Sequence, residues 1–157
     1  MLIVKDVEKK ILLNLLEKGR RPILKIADDL GITRQTVAKK IDQMHESGLI
    51  ISFFPKMKPE LLGLSIQAYI LMHEDPHNNL RKETEENVKS LPQVSEFRRI
   101  FGNYDSIVKV LVTNNKELTD LVKRIRDLDG VKETETFIVH STIKDKPEDP
   151  IKKALTT

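Results

Sequence analysis

Residues 22–44 read PILKIADDLGITRQTVAKKIDQM, and this stretch decides the first part of the fold. Pro22 suits the opening turn of a helix, where its missing amide hydrogen costs nothing. Ile26, Ala27 and Leu30 then recur at helical spacing and predict a helix over Ile23–Leu30. Gly31 ends it after barely two turns. Thr33 offers an N-cap for a further helix over Arg34–Ser47, with Val37, Ile41 and Met44 on its inner face. Two short helices across a glycine-containing turn make a helix-turn-helix unit. Its packing needs a small residue at Ala27, a positive φ at Gly31 and an apolar plug at Val37.

Outward from this unit, Val7, Ile11, Leu12, Leu15 and Leu16 predict a first helix over Lys5–Lys18, stopped by Gly19. An ordinary helical hairpin that binds no DNA would share this core, so the exposed face carries the functional reading. With Val37, Ile41 and Met44 inside, Arg34, Gln35, Thr36, Lys39, Lys40 and Gln43 face outward, beside the capping Thr33. Arg and Lys reach guanine or phosphate, and Gln reaches adenine. A solvated charged face would mix in more acids; only Asp42 and Glu46 do so, both late in the helix. Arg20 and Arg21, beside the second helix's N-terminus, are candidates to clamp phosphate. Residues 1–62 carry a net charge of +4 and residues 63–157 of −1, so the basic excess lies where a polyanion is expected.

The rest of the chain alternates strands and helices. Leu49–Phe54 reads as a strand stopped by Pro55 and Pro59, within a connector over 51–63. Strands follow over Leu64–His73, Val94–Phe101, Ser106–Thr113 and Val131–Ile143. Helices fall over Asn79–Leu91 and from Asn114 to Gly130, the second with Glu117 placed for a capping box. This βαββαβ order predicts a ferredoxin-like antiparallel sheet with both helices on one face. The fold class is therefore α+β, a winged-type helix-turn-helix over 1–50 joined by 51–63 to a ferredoxin-like domain over 64–145. Residues 146–157, with Pro147 and Pro150, read as a mobile tail. The open sheet face, with Tyr69, Leu71, Ile107 and Leu111, is a candidate dimer interface.

Ile11-Leu12, Gly19-Arg20, Ala27, Gly31-Ile32, Thr36-Val37, Lys40-Ile41, Gly48-Leu49-Ile50, Leu62-Gly63, Gly102-Asn103-Tyr104-Asp105 and Gly130-Val131 follow one another across the two domains. With them, over about residues 3–145, the chain resembles the Lrp/AsnC (feast/famine) family of prokaryotic transcription regulators. The resemblance implies a reader of pseudopalindromic DNA that dimerises through its sheets, assembles further into octamers and answers to amino acids. It also implies an effector site at Gly102, Asn103, Tyr104 and Asp105, where residues alone indicate a tight hairpin turn. Asp105 would pair with a ligand's ammonium, and free backbone amides would take its carboxylate. Three positions depart from the family pattern: Phe101 where a small polar residue is usual, Lys40 for Arg, and Glu8 for Asp.

Other classes are weaker. The 157 residues contain no Cys, which removes disulfides, thiol catalysis and Cys-ligated zinc together, and suits a reducing cytoplasmic setting. His45, His73, His77 and His140 form no metal-binding spacing, and no phosphate loop or nucleophile elbow appears. The expectation is no catalytic residues, no metal and no cofactor, with double-stranded DNA, a second copy and a small ligand as partners. Two alternatives stand beside it: a haem-pathway decarboxylase of Lrp type that has lost DNA binding, and an architectural protein that coats DNA regardless of sequence.

Overall fold

The computed structural model describes residues 4–157, so Met1–Ile3 of the expected first domain lie outside the described residues. Two compact units emerge: Met1–Lys56 together with Lys144–Thr157, and Met57–Ile143.

The first unit holds α1 (Asp6–Glu17), α2 (Ile23–Leu30) and α3 (Arg34–Glu46). Ile11, Ile26, Ala27, Val37 and Met44 form its buried core, with Leu12, Leu15, Leu30, Ile32, Ile41 and Ile50 packed around them. Burying a side chain such as Val37 is worth about 1.5–3 kcal/mol. Gly31 adopts φ 63°, and the Ile32 amide donates to the Ala27 carbonyl at 3.1 Å, which closes the end of α2 and aims the chain into α3. The Thr33 hydroxyl accepts from the Thr36 amide at 3.1 Å, so the expected cap of α3 is formed.

Two features of this unit differ from expectation. Residues 51–58 run without a ladder, and no strand forms over Leu49–Phe54. The apolar pattern is suited to pairing, but a strand needs a neighbour, and the described residues supply none there. Residues 146–157 are not a tail. They form α6 (Glu148–Thr156), which packs on α1. Pro147 precedes this helix and Pro150 sits in its first turn, where no intrahelical amide is required. Lys56 and Asp145 pair at 3.0 Å, which joins the two places where the chain leaves and re-enters this unit.

The second unit opens with a 3-10 turn over Pro59–Leu62 and continues as β1 (Ile66–Glu74), α4 (Asn78–Lys89), β2 (Val94–Arg99), β3 (Ser106–Val112), α5 (Asn115–Arg126) and β4 (Val131–Ile138). The sheet order is β2-β3-β1-β4, with all neighbours antiparallel. This is the ferredoxin-like arrangement. Ala68, Ile70 and Met72 of β1 and Val108, Val110 and Val112 of β3 face inward. They meet Val88 of α4, Leu91 just beyond that helix, and Leu118, Leu121 and Ile125 from α5. Asn114 caps α5 by accepting from the Glu117 amide at 2.9 Å. Glu117 in turn accepts from the Thr113 amide at 2.8 Å, one residue beyond the usual reach of a capping box. No helix among the described residues is long and apolar enough to cross a membrane.

Candidate nucleic-acid interface and ligand turn

On α3, Arg34, Gln35, Lys39 and Gln43 are exposed, and none of their side chains has a hydrogen-bonded partner among the described residues. Gln35, Lys39 and Gln43 stand four residues apart and share one face of the helix. Thr33 and Thr36 are exposed as well, but their hydroxyls bond each other at 2.8 Å and serve the cap. Lys40 departs from the expected reading face. Its ammonium lies 2.9 Å from a Glu8 oxygen, with Lys40 and Glu8 only 25% and 14% exposed, so it ties α3 to α1. The Glu8 carboxylate also accepts from the Lys5 amide at 3.0 Å. Lys40 first, and that amide second, hold its pKa below the ordinary glutamate range. Glu8 and Lys40, two of the three positions that depart from the resembled pattern, therefore meet in one ion pair.

Beside α2, Lys18, Arg20, Arg21, Pro22 and Lys25 line a concavity of about 390 Å3. Its four cations surround the N-terminal end of a helix, where unpaired amides already favour anions. Arg20 is exposed, whereas Arg21 is paired with Asp29 of α2. Lys18 and Lys25 escaped the sequence reading because helical periodicity does not show which charges a turn brings together.

In the second unit the turn between β2 and β3 is held on several sides. The Ile100 amide donates to the Asp105 carbonyl at 3.0 Å, and the Asp105 amide to the Met72 carbonyl at 3.0 Å. The Asp105 carboxylate accepts from the Glu74 amide at 2.9 Å and from the Arg81 guanidinium at 3.3 Å. Tyr104 stacks on His73 with ring centroids 4.6 Å apart and donates its hydroxyl to Glu135. That bond pushes the phenol pKa above its ordinary value. The tip is different. Gly102 sits at φ 149°, Phe101 is fully exposed, and the amides of Phe101, Gly102, Asn103 and Tyr104 donate to no group among the described residues. Phe101 therefore points its ring into solvent and does not fill the turn.

The open sheet face carries Tyr69, Leu71, Ile107 and Leu111, all half-buried, with Phe137 paired across from Tyr69 and Ile107 across from Leu71. Phe137 was not singled out from sequence because the alternation of β4 is broken by charged and polar residues. Among the described residues no cluster of His, Asp and Glu could hold a metal ion.

Residues 67–149 match the profile of the Lrp/AsnC ligand binding domain, and residues 5–51 that of a winged helix-turn-helix DNA-binding domain. The chain is 33% identical over 147 residues to the HTH-type transcriptional regulator FL11 of Pyrococcus horikoshii, covering 94% of this chain and 96% of that one. The Pyrococcus furiosus regulator of the same name is 31% identical over 150 residues, with 96% and 98% covered. Among solved structures, a transcriptional regulator of Neisseria meningitidis in complex with L-methionine superposes with a TM-score of 0.87 at 19% identity, covering 95% of this chain and 99% of that one. Escherichia coli AsnC superposes with a TM-score of 0.82 at 22% identity, with 93% and 100% covered.

Proposed function

Because the chain belongs to the Lrp/AsnC family of DNA-binding transcription regulators, we propose that it is a sequence-specific regulator acting in the cytoplasm as a dimer or higher assembly. The observation that carries this reading is the unpaired row on α3, flanked by the basic concavity at α2. Arg34, Gln35, Lys39 and Gln43 read base edges, while Arg20, with Lys18 and Lys25, holds backbone phosphate. Arg21 contributes charge but is partly neutralised by Asp29. A dimer would place two such helices about 34–36 Å apart, one helical turn of DNA. The open sheet face is the proposed dimer surface. Ile51, Phe53 and Phe54 are exposed on an extended stretch with no ladder, and this offers a second copy a further edge. An architectural protein would instead show equal affinity for every sequence.

A small amino-acid-like ligand at the Gly102–Asp105 turns is the proposed effector. The free amides at the tip suit its carboxylate. Asp105 keeps acceptor capacity for an ammonium, although Arg81 offsets its charge. The Neisseria regulator holds L-methionine, so L-methionine heads the panel. The test is selection of bound DNA from a random pool, with and without that panel. A palindromic consensus that shifts or weakens with one amino acid is expected. Recovery of unselected sequence would overturn the reading.

A further inference from the structure

The inner face of β1 is apolar at Ala68, Ile70 and Met72, and then carries Glu74, whose side chain is fully buried. A buried carboxylate costs several kcal/mol unless its acceptors are filled. Here they are filled in one direction. One oxygen accepts from the Ser106 hydroxyl, and the other lies 3.4 Å from the Arg99 guanidinium. Arg99 and Ser106 are the cross-strand partners that end the β2–β3 ladder, the last pair before the turn. The amide of the same glutamate donates to the Asp105 carboxylate at 2.9 Å. Arg99 is further braced by Glu85 of α4.

The geometry points to Glu74 as the positioning residue of the turn over residues 100–105. From beneath the sheet it grips both stems of the turn, and through its backbone it grips the residue that closes it. The tip meanwhile keeps its amides free. The shape those amides present is therefore set by a side chain with no exposure to any ligand. Its bearing on effector binding rests on the reading of this turn as the ligand site; its bearing on the turn itself does not.

The test uses the full chain with Glu74→Ala and Ser106→Ala, set against Val110→Ala, a core truncation in the middle of β3 that lowers the melting temperature without touching the turn. Hydrogen exchange is followed at the Ile100 amide, whose bond closes the turn, and at the Asp105 amide, whose bond ties it to β1, and L-methionine binding is followed by titration calorimetry. Both turn variants should speed exchange at these two amides by about tenfold relative to Val110→Ala, and both should weaken L-methionine binding where Val110→Ala does not. Should Glu74→Ala fail to fold, Ser106→Ala carries the comparison, since it removes one hydroxyl and leaves Arg99 paired. Exchange at Ile100 and Asp105 as slow as in Val110→Ala would overturn the assignment. If the wild type takes up no L-methionine, the ligand reading loses its support while the exchange comparison still decides the role of Glu74.

Discussion

The reading face of α3 and the turn between β2 and β3 are built on opposite plans. On α3, Arg34, Gln35, Lys39 and Gln43 have no hydrogen-bonded partner among the described residues, which leaves them available to the proposed DNA partner. At the turn, Tyr104 and Asp105 are already engaged by His73, Glu135, Glu74 and Arg81, and it is the backbone amides of the tip that donate to no group among the described residues. In the proposed reading, the first plan recognises through replaceable side chains and the second through a shape that its side chains enforce. Function and stability should therefore separate on α3 and stay fused at the turn.

The harshest way to break this comparison is at the core beneath α3. Val37→Asp would bury an unpaired carboxylate and cost several kcal/mol, so DNA binding should vanish and helical circular dichroism should fall. Unfolding monitored at Tyr69 and Tyr104 should persist if the second unit is independent.

Next come paired substitutions of similar size. Arg34→Ala or Gln35→Ala should cost about 1–3 kcal/mol on the preferred site, relax specificity there and leave the melting temperature unchanged. Arg20→Ala should instead weaken all sequences alike and flatten the salt slope. Asp105→Ala should cost about 1–3 kcal/mol of stability, because it strands the Glu74 amide and frees Arg81. An unaltered melting curve for Asp105→Ala would erase the contrast between the two regions.

Lys40 sharpens the comparison as the exception on α3. Lys40→Met should lower stability by about 1 kcal/mol while leaving the preferred sequence intact, and the exchanged pair Glu8→Lys with Lys40→Glu should recover much of it. A changed sequence preference would return Lys40 to the reading face.

The smallest effect expected is an acid limit set by Asp75. The His77 amide, then the His77 ring and Lys132, lower its pKa from 3.8 to about 2. A depressed carboxylate contributes stability that is fully present above the unfolded value and is lost as pH falls through the folded one. Asp75→Asn should therefore flatten the decline in melting temperature between about pH 4 and 2.

Much of this was open to reading in the sequence because it rests on local rules. Gly31, Thr33 and Val37 specify the α2–α3 crossing through backbone conformation, capping and volume, each within a few residues. The alternation of β1 and β3 likewise separates the two sheet faces. What escaped depends on distance. Lys40 and Glu8 are 32 positions apart, and nothing local says that they meet. Glu74 lies on the inner face by simple alternation, but the strand expected from the sequence stops at His73, one residue short of it. For α6, two prolines argue against a helix, and only the fold reveals that both fall where a helix tolerates them.

The return of residues 144–157 to the first unit also bears on how the protein is made. Translation runs from α1 onward, so α1 leaves the ribosome long before the helix that packs on it. The whole of the second unit, Met57–Ile143, is synthesised in between. The DNA-reading unit thus stays open along one side of α1 until the sheet domain has emerged, and a nascent chain halted before Lys144 would display a reader that is still unfinished.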